Sequence, residues 1–316
     1  MLQMLKETGC EYDLFVKEIT FLVRDIMGEG HTVTIYKVLK NNSLELDSLV
    51  ILEEGKKISP NFYLLPYYEE YLMGTDMNDL AERICERYVN NTSPMILEDF
   101  NYEFGQMKEC IIYRLVNYER NRKILESTPH IKYLDLAITF HCLVQDSKEE
   151  IGTIRITNDH LKFWNTNLEE IKKLAVKNTQ KRFPAMIRRM EEVILSMLTN
   201  EDGDNSLKGQ MMNDLFPDLS TMNLNMYILS NTQGINGATC LLYDNILKKI
   251  SQELQANLYI LPSSIHEVII IPCYDEMLSK ETLSKMVCEV NCTQVAKEEV
   301  LSDKVYIYSR QKNAIM

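Results

Sequence analysis

The sequence predicts an α+β fold in which mixed, mainly antiparallel sheets pack against amphipathic helices, arranged as two subdomains. Three observations carry this expectation. Short apolar runs stopped by turn residues or proline, at residues 226–230, 258–261 and 268–271, read as strands buried on both faces. Between such runs, apolar residues recur at helical spacing, as in Ile246, Ile250 and Leu254. An acidic, glycine-containing stretch without apolar periodicity then divides the chain into an N-terminal α+β unit over 1–200, a linker over 201–208 and a C-terminal α+β unit over 209–316.

In chain order, residues 12–27 form a helix, because Phe15, Ile19, Leu22, Val23 and Ile26 share a face and Gly28 and Gly30 stop it. Runs 32–39 and 44–52 read as a hairpin around a polar loop, and 62–65 as a further strand. Tyr67, Tyr68 and Tyr71 lie between Pro66 and Gly74, poised between interface and core, and 76–88 is a helix. Residues 110–117 form a strand, 121–126 a short charged helix, and 134–143 a long strand partnered by 152–157. Helices are expected at 159–164, 168–176 and 185–198, the last with Pro184 in its first turn and Ile187, Met190, Ile194 and Leu198 inward. Farther on, Asp244 caps a helix that Asn257 ends in the left-handed conformation, and Pro262 and Pro272 stop the two strands that follow. A helix through Leu283, Met286, Val287 and Val290, an irregular 291–303 segment and a strand over 305–309 come last.

Hydrophobic content of 45% and charged content of 25% over 316 residues describe a globular chain large enough for about two domains of roughly 100–200 residues each. A formal net charge of −12 argues against a general nucleic-acid role, since phosphate neutralisation needs a cationic face. Eight cysteines with no C-x-x-C pair and no secretory start predict reduced thiols and a cytoplasmic location. Cys288 and Cys292 supply two ligands, too few for zinc, and the acidic residues of 201–204 do not follow calcium-loop spacing. No metal and no cofactor is expected, and no apolar run approaches membrane-spanning length.

The runs YLDLAITFHCL, NGATCLLYDNIL, YILPSSIHEVIIIP and VNCTQVAKEEVLSDKVYIYSR resemble those of an uncharacterised bacterial family, common in gut anaerobes and known as a domain of unknown function. The resemblance covers nearly the whole chain. It implies a bacterial intracellular protein and transfers no site.

Candidate chemistry therefore rests on the residues. Gly234, Gly237 and Thr239 lie in a glycine-bearing turn after a strand, the setting of a phosphate cradle, yet without the Lys-Ser/Thr ending of a P-loop; a plain turn is the competing reading. His266 and Glu267, beside Ser263, Ser264 and Cys240, can be drawn as a base with a nucleophile, or as a turn whose Ser and His satisfy backbone groups. His141 in its apolar run reads as a core imidazole bonded to backbone, and His160 as packing on Trp164 one turn later. Residues 172–189 carry Lys172, Lys173, Lys177, Lys181, Arg182, Arg188 and Arg189 with no acidic residue between them, either a docking face or solvated cover over a core face that includes Leu174, Val176, Ile187 and Met190. Arg114, Arg120, Arg122 and Lys123 form a smaller basic group.

These features leave the reaction, ligand and process open. The leading expectation is a non-enzymatic interaction protein with a protein partner. The alternative is a small-molecule-binding or hydrolytic enzyme with its pocket where Gly234, Gly237 and Thr239 meet Ser263, Ser264 and His266. A second alternative is docking of nucleic acid or an acidic partner through Lys181, Arg182, Arg188 and Arg189.

Overall fold

A computed structural model describes residues 2–55, 59–91, 103–146, 151–193, 225–274 and 279–316. The fold is α+β, and every strand pair among the described residues is antiparallel. Two compact units appear, Met1–Tyr102 and Glu103–Met316. The linker expected at 201–208 lies outside the described residues. The second unit begins at Glu103, and one of its sheets pairs residues 185–189 with 227–231.

The first unit is α1 (Leu2–Met27), β1 (His31–Leu39), β2 (Glu45–Glu53), β3 (Asn61–Tyr63), α2 (Leu64–Leu72) and α3 (Met77–Asn91). Gly30, at φ +92°, turns the chain from α1 into β1 in a conformation that side chains with a Cβ resist. The hairpin runs in register from His31 opposite Glu53 to Leu39 opposite Glu45, and β3 adds to the far edge of β2. One core gathers Phe15, Ile19 and Val23 from α1, Leu49 and Ile51 from β2, and Leu80, Ile84 and Tyr88 from α3. The aromatic stretch is helical because Pro66 falls in the first turn of α2, where a missing N–H leaves no intrahelical bond unmade. Tyr67 and Tyr68 are buried in the core and Tyr71 is exposed, so this triplet divides between the two readings.

The second unit opens with α4 (Phe104–Met107), β4 (Ile111–Asn117), α5 (Arg122–Leu125), β5 (His130–Tyr133), β6 (Leu136–Asp146), β7 (Ile151–Arg155), α6 (Asn158–Phe163), α7 (Leu168–Arg182) and β8 (Ala185–Arg189). It continues with β9 (Tyr227–Asn231), a 3-10 turn over Gly237–Leu242, α8 (Ile246–Glu253), β10 (Asn257–Leu261), β11 (Val268–Cys273), α9 (Lys280–Thr293), β12 (Tyr306–Ser309) and β13 (Ala314–Ile315). The long β6 centres a four-stranded sheet: β4 lies along one edge, while β5 and then β7 share the other. The second sheet has the order β13-β12-β10-β11-β9-β8.

Three local expectations are corrected. Residues 185–189 are an edge strand paired with β9, and helix begins only at Met190. Proline at 184 misled here, because it also suits the start of an edge strand, and its carbonyl accepts the Thr232 amide. Asn245, not Asp244, stands before α8, at φ 59° and without a side-chain cap. Gln255 takes the left-handed position after α8, and Asn257 is already the first residue of β10, its Oδ1 accepting the Arg310 amide at 2.9 Å.

Polar bonds join the two sheets of this unit. Asp135, between β5 and β6, accepts the Ser302 hydroxyl at 2.7 Å and the Tyr306 hydroxyl at 2.6 Å. Burial and this carboxylate push the Tyr306 phenol strongly upward, so it remains a donor. Asn117 donates to the Leu301 carbonyl at 2.9 Å, and Arg120 pairs with Asp303 at 2.7 Å. Replacing Asp135 by Ala orphans two buried hydroxyls, each costing about 1–3 kcal/mol when left unpaired. Urea unfolding of Asp135→Ala should therefore show a loss of about 2 kcal/mol or more, and Tyr306→Phe, which removes one donor, a smaller loss.

Candidate functional site

The glycine-bearing turn and the β10–β11 loop meet face to face. Gly237 is the point of closest approach: a Cβ there would lie 2.1 Å from Ser230 Oγ and 2.4 Å from the His266 carbonyl oxygen. Glycine is required at 237 because of this approach, whereas Gly234 serves a turn at φ +67°. The Ser230 hydroxyl donates to the His266 carbonyl at 2.8 Å, and the Ala238 amide to the Ile265 carbonyl at 3.1 Å. The Asn236 amide donates to His266 Nδ1 at 3.3 Å, which places the ring proton of a neutral His266 on Nε2, 3.3 Å from Glu299 Oε1.

In this arrangement Ser264, His266 and Cys240 each make hydrogen bonds within the protein. Ser264 Oγ accepts the backbone amide of His266 at 3.0 Å, and both ring nitrogens of His266 face other partners. Cys240 is buried, its Sγ donates to the Ser230 carbonyl at 3.2 Å, and burial pushes the thiol up to about 12, so it is not a thiolate. The amides that would cradle a phosphate are directed at protein acceptors: Gly234 N at Asn231 O, Asn236 N at His266, Ala238 N at Ile265 O and Thr239 N at Asn236 O. Thr239 Oγ1 donates to Asn236 O at 2.8 Å. Ser263, Gly234 and Glu267 do line a pocket, together with residues of the six-stranded sheet and α9.

That pocket is an apolar cavity of about 450 Å³ between the six-stranded sheet and α9. Met186, Ile228, Leu261 and Ile269 form its sheet wall, and Met286, Val287 and Val290 its helix wall. Ser230, Ser263, Glu267 and Arg188 are its polar lining residues. Burial raises the Glu267 carboxyl above its ordinary value of 4.5, opposed by nearby His266 and the Ser264 hydroxyl.

A second group of polar side chains is set into the four-stranded sheet. His141 is buried and its Nε2 lies 3.1 Å from Thr139 Oγ1, not against backbone as the sequence suggested. Burial first, and then the charges of Arg114 and Arg155, depress the imidazole well below its usual range and hold it neutral. Sequence reading missed this grouping, since Arg114 belongs to β4, His141 to β6 and Arg155 to β7, and only cross-strand register brings them together. The rest of the smaller basic group is elsewhere engaged, with Arg120 on Asp303 and Arg122 on Glu119.

The basic run 172–189 is split between α7 and β8. Lys172 approaches Glu169 at 4.0 Å, Lys181 is exposed, and Arg182 donates to the Glu109 carbonyl at 3.1 Å. Arg188 and Arg189 are exposed on the edge strand. The inward face of α7 is Ile171, Ala175, Asn178 and Thr179; of the expected core residues Met190 is buried, while Val176 and Ile187 are exposed. Asn178 is inward because its amide donates to the Lys108 and Ile111 carbonyls, and Thr179 Oγ1 accepts the Tyr113 amide. His160 closes a capping box with Thr157 and packs on Trp164 with ring centroids 5.2 Å apart.

A family model matches residues 12–310. The chain belongs to a family of unknown function, DUF5688. No curated protein and no solved structure matches it. The family match spans both units and takes in the Gly237 turn, the β10–β11 loop and Glu299, so the tie between them lies within the family's extent. Among the described residues no three His, Cys, Asp or Glu side chains gather as a metal site, and no helix is long and apolar enough to cross a membrane.

Two outcomes follow from the tie and its flank. Gly237→Ala drives a methyl into a backbone carbonyl that cannot rotate away, so differential scanning calorimetry should show destabilisation near or above the upper end of the ~1–3 kcal/mol typical of overpacking. For Glu267 the folded carboxyl binds its proton more tightly than the unfolded one, so stability falls as pH rises from about 4.5 through the raised folded value. Glu267→Gln should abolish that fall, leaving the variant more stable than the parent at neutral pH and showing no such gain at pH 4.

Proposed function

We propose that the chain acts by binding, without chemical turnover, and that its second unit holds a small apolar molecule in the cavity between the six-stranded sheet and α9. The observation that carries this reading is the cavity: about 450 Å³, within the range of small-molecule sites, with apolar walls and a few polar groups. The engagement of Ser264, His266 and Cys240 in structural bonds favours the binding half of the small-molecule alternative over the hydrolytic half. Ile228, Ile269 and Met286 remain only partly buried against the core cluster that they border, so sheet and helix stand apart where they could have closed. The described cysteines, all free thiols, support placing the protein in a reducing compartment such as a cytosol.

A second reading keeps the expected protein partner. It is favoured by exposed apolar side chains on α1, where Leu14 and Phe21 stand two turns apart on one stripe.

The cavity reading is tested with the neutral dye Nile red. The full chain should bind it with enhanced, saturable fluorescence at one site, and Ile269→Trp, which fills the cavity from the sheet side, should weaken binding by about tenfold or more while leaving the far-ultraviolet circular dichroism unchanged. Absence of saturable binding, or binding indifferent to both Ile269→Trp and Val290→Trp, would reject the cavity as the seat.

A further inference from the structure

The four-stranded sheet carries a row of nitrogen bases on one face. Arg114 on β4 lies opposite Thr139, His130 on β5 lies opposite the same threonine, and Arg155 on β7 lies opposite His141. Residues paired across strands share a face, and so do residues two apart on one strand. Arg114, His130, Thr139, His141 and Arg155 therefore stand together, with Lys132 next along β5. None of these six is a carboxylate, on a chain whose net charge is −12.

The two arginines are short of partners. The Nε atoms of both Arg114 and Arg155 are buried and make no hydrogen bond, and no ion pair among the described residues includes either arginine. Burying a guanidinium without a counter-charge is costly, and burial alone lowers Arg114 to about 10. The register sets Arg114 and Arg155 on the two sides of β6, and both charges depress the His141 imidazole. Neighbouring strands are about 4.8 Å apart, so β4 and β7 stand roughly 10 Å apart across β6, a span that two arginine side chains can close on one tetrahedral anion. The crevice on the other flank of Arg114, against Phe183, Asn231 and Asn236, holds about 10 Å³, room for one water and not for an oxyanion.

We propose that Arg114 and Arg155 form a two-guanidinium seat for a phosphate group, laid across the four-stranded sheet over Thr139 and His141. A dianion supplies the missing counter-charge for both arginines and acceptors for the fork geometry of each. Thr139 and neutral His141, bonded to each other at 3.1 Å, form the floor beneath it. The seat is separate from the apolar cavity, which none of these residues lines.

The experiment titrates the full chain with inorganic phosphate at constant ionic strength balanced with chloride. Binding is read by calorimetry and by the arginine Nε–H resonances. A single saturable site in the millimolar range or tighter is expected, with the Arg114 and Arg155 resonances shifting together. Arg114→Met and Arg155→Met should each weaken phosphate binding by about tenfold or more, as loss of a charge-assisted contact predicts, while Lys181→Met leaves it unchanged. Arg114→Lys should bind more weakly than the parent, because an ammonium lacks the fork. No binding, binding that survives both methionine substitutions, or shifts confined to other arginines would overturn the assignment. Acetate acting as well as phosphate would reject phosphate as the group recognised. Should a methionine variant fail to fold, the resonance shifts of the unsubstituted chain still decide the matter.

Discussion

The second unit depends on one close approach, that of the Gly237 backbone to the Ser230 side chain and the His266 carbonyl. Nothing larger than hydrogen fits on that α-carbon, and the contact lets the 3-10 turn, the end of β9 and the β10–β11 loop exchange hydrogen bonds at once. The loop is then held from its other side by the 299–302 segment: Ile265 N donates to Glu299 O, Leu301 N to Ser263 O and Ser302 N to Pro262 O. From there Ser302 reaches Asp135 and so the four-stranded sheet. A chain of short polar bonds thus runs from one glycine to the junction of both sheets. Where these groups are buried, a link is costly to leave unmade.

Much of this fold was legible from periodicity. The hairpin of the first unit, its flanking helices, the strands β9, β10 and β11 and the helix α9 all announced themselves as runs of two-fold or helical repeat bounded by glycine, proline or asparagine. Legibility failed where one signal served two structures. Pro184 suits a helix start or an edge strand, and the spacing of Ile187 and Met190 looked helical although Ile187 is exposed on β8. The buried polar face of α7 was unreadable for a different reason: Asn178 and Thr179 are inside only because β4 offers backbone groups to them, a fact of tertiary contact.

The site residues divide in the same way. Residue type suggested a base and a nucleophile at 264–267, but type does not say which atom faces which. Ser264 Oγ turned out to hold a backbone amide, and the imidazole nitrogens were committed on both sides. The sequence did carry a weak trace of the arginine row, an arginine between Ile112 and Val116 on a strand otherwise apolar on that face. Converting that trace into a site needed the register of β6 against two partners, which periodicity cannot supply. The cavity was invisible for the same reason, since Met186, Ile228 and Val290 come from three elements whose spacing is set only by packing.

The order of strands in the six-stranded sheet also bears on how the protein is made. The sheet of the first unit joins neighbours in sequence, so its contacts are local and can form as soon as the residues up to α3 have left the ribosome. In the other sheet β10 lies between β11 and β12, and β12 is contributed by Tyr306–Ser309. One edge of β10, an apolar strand with its amides and carbonyls unpaired, therefore stays exposed until some fifty further residues have been synthesised. The edge that β12 covers in the finished sheet is thus among the last to be closed.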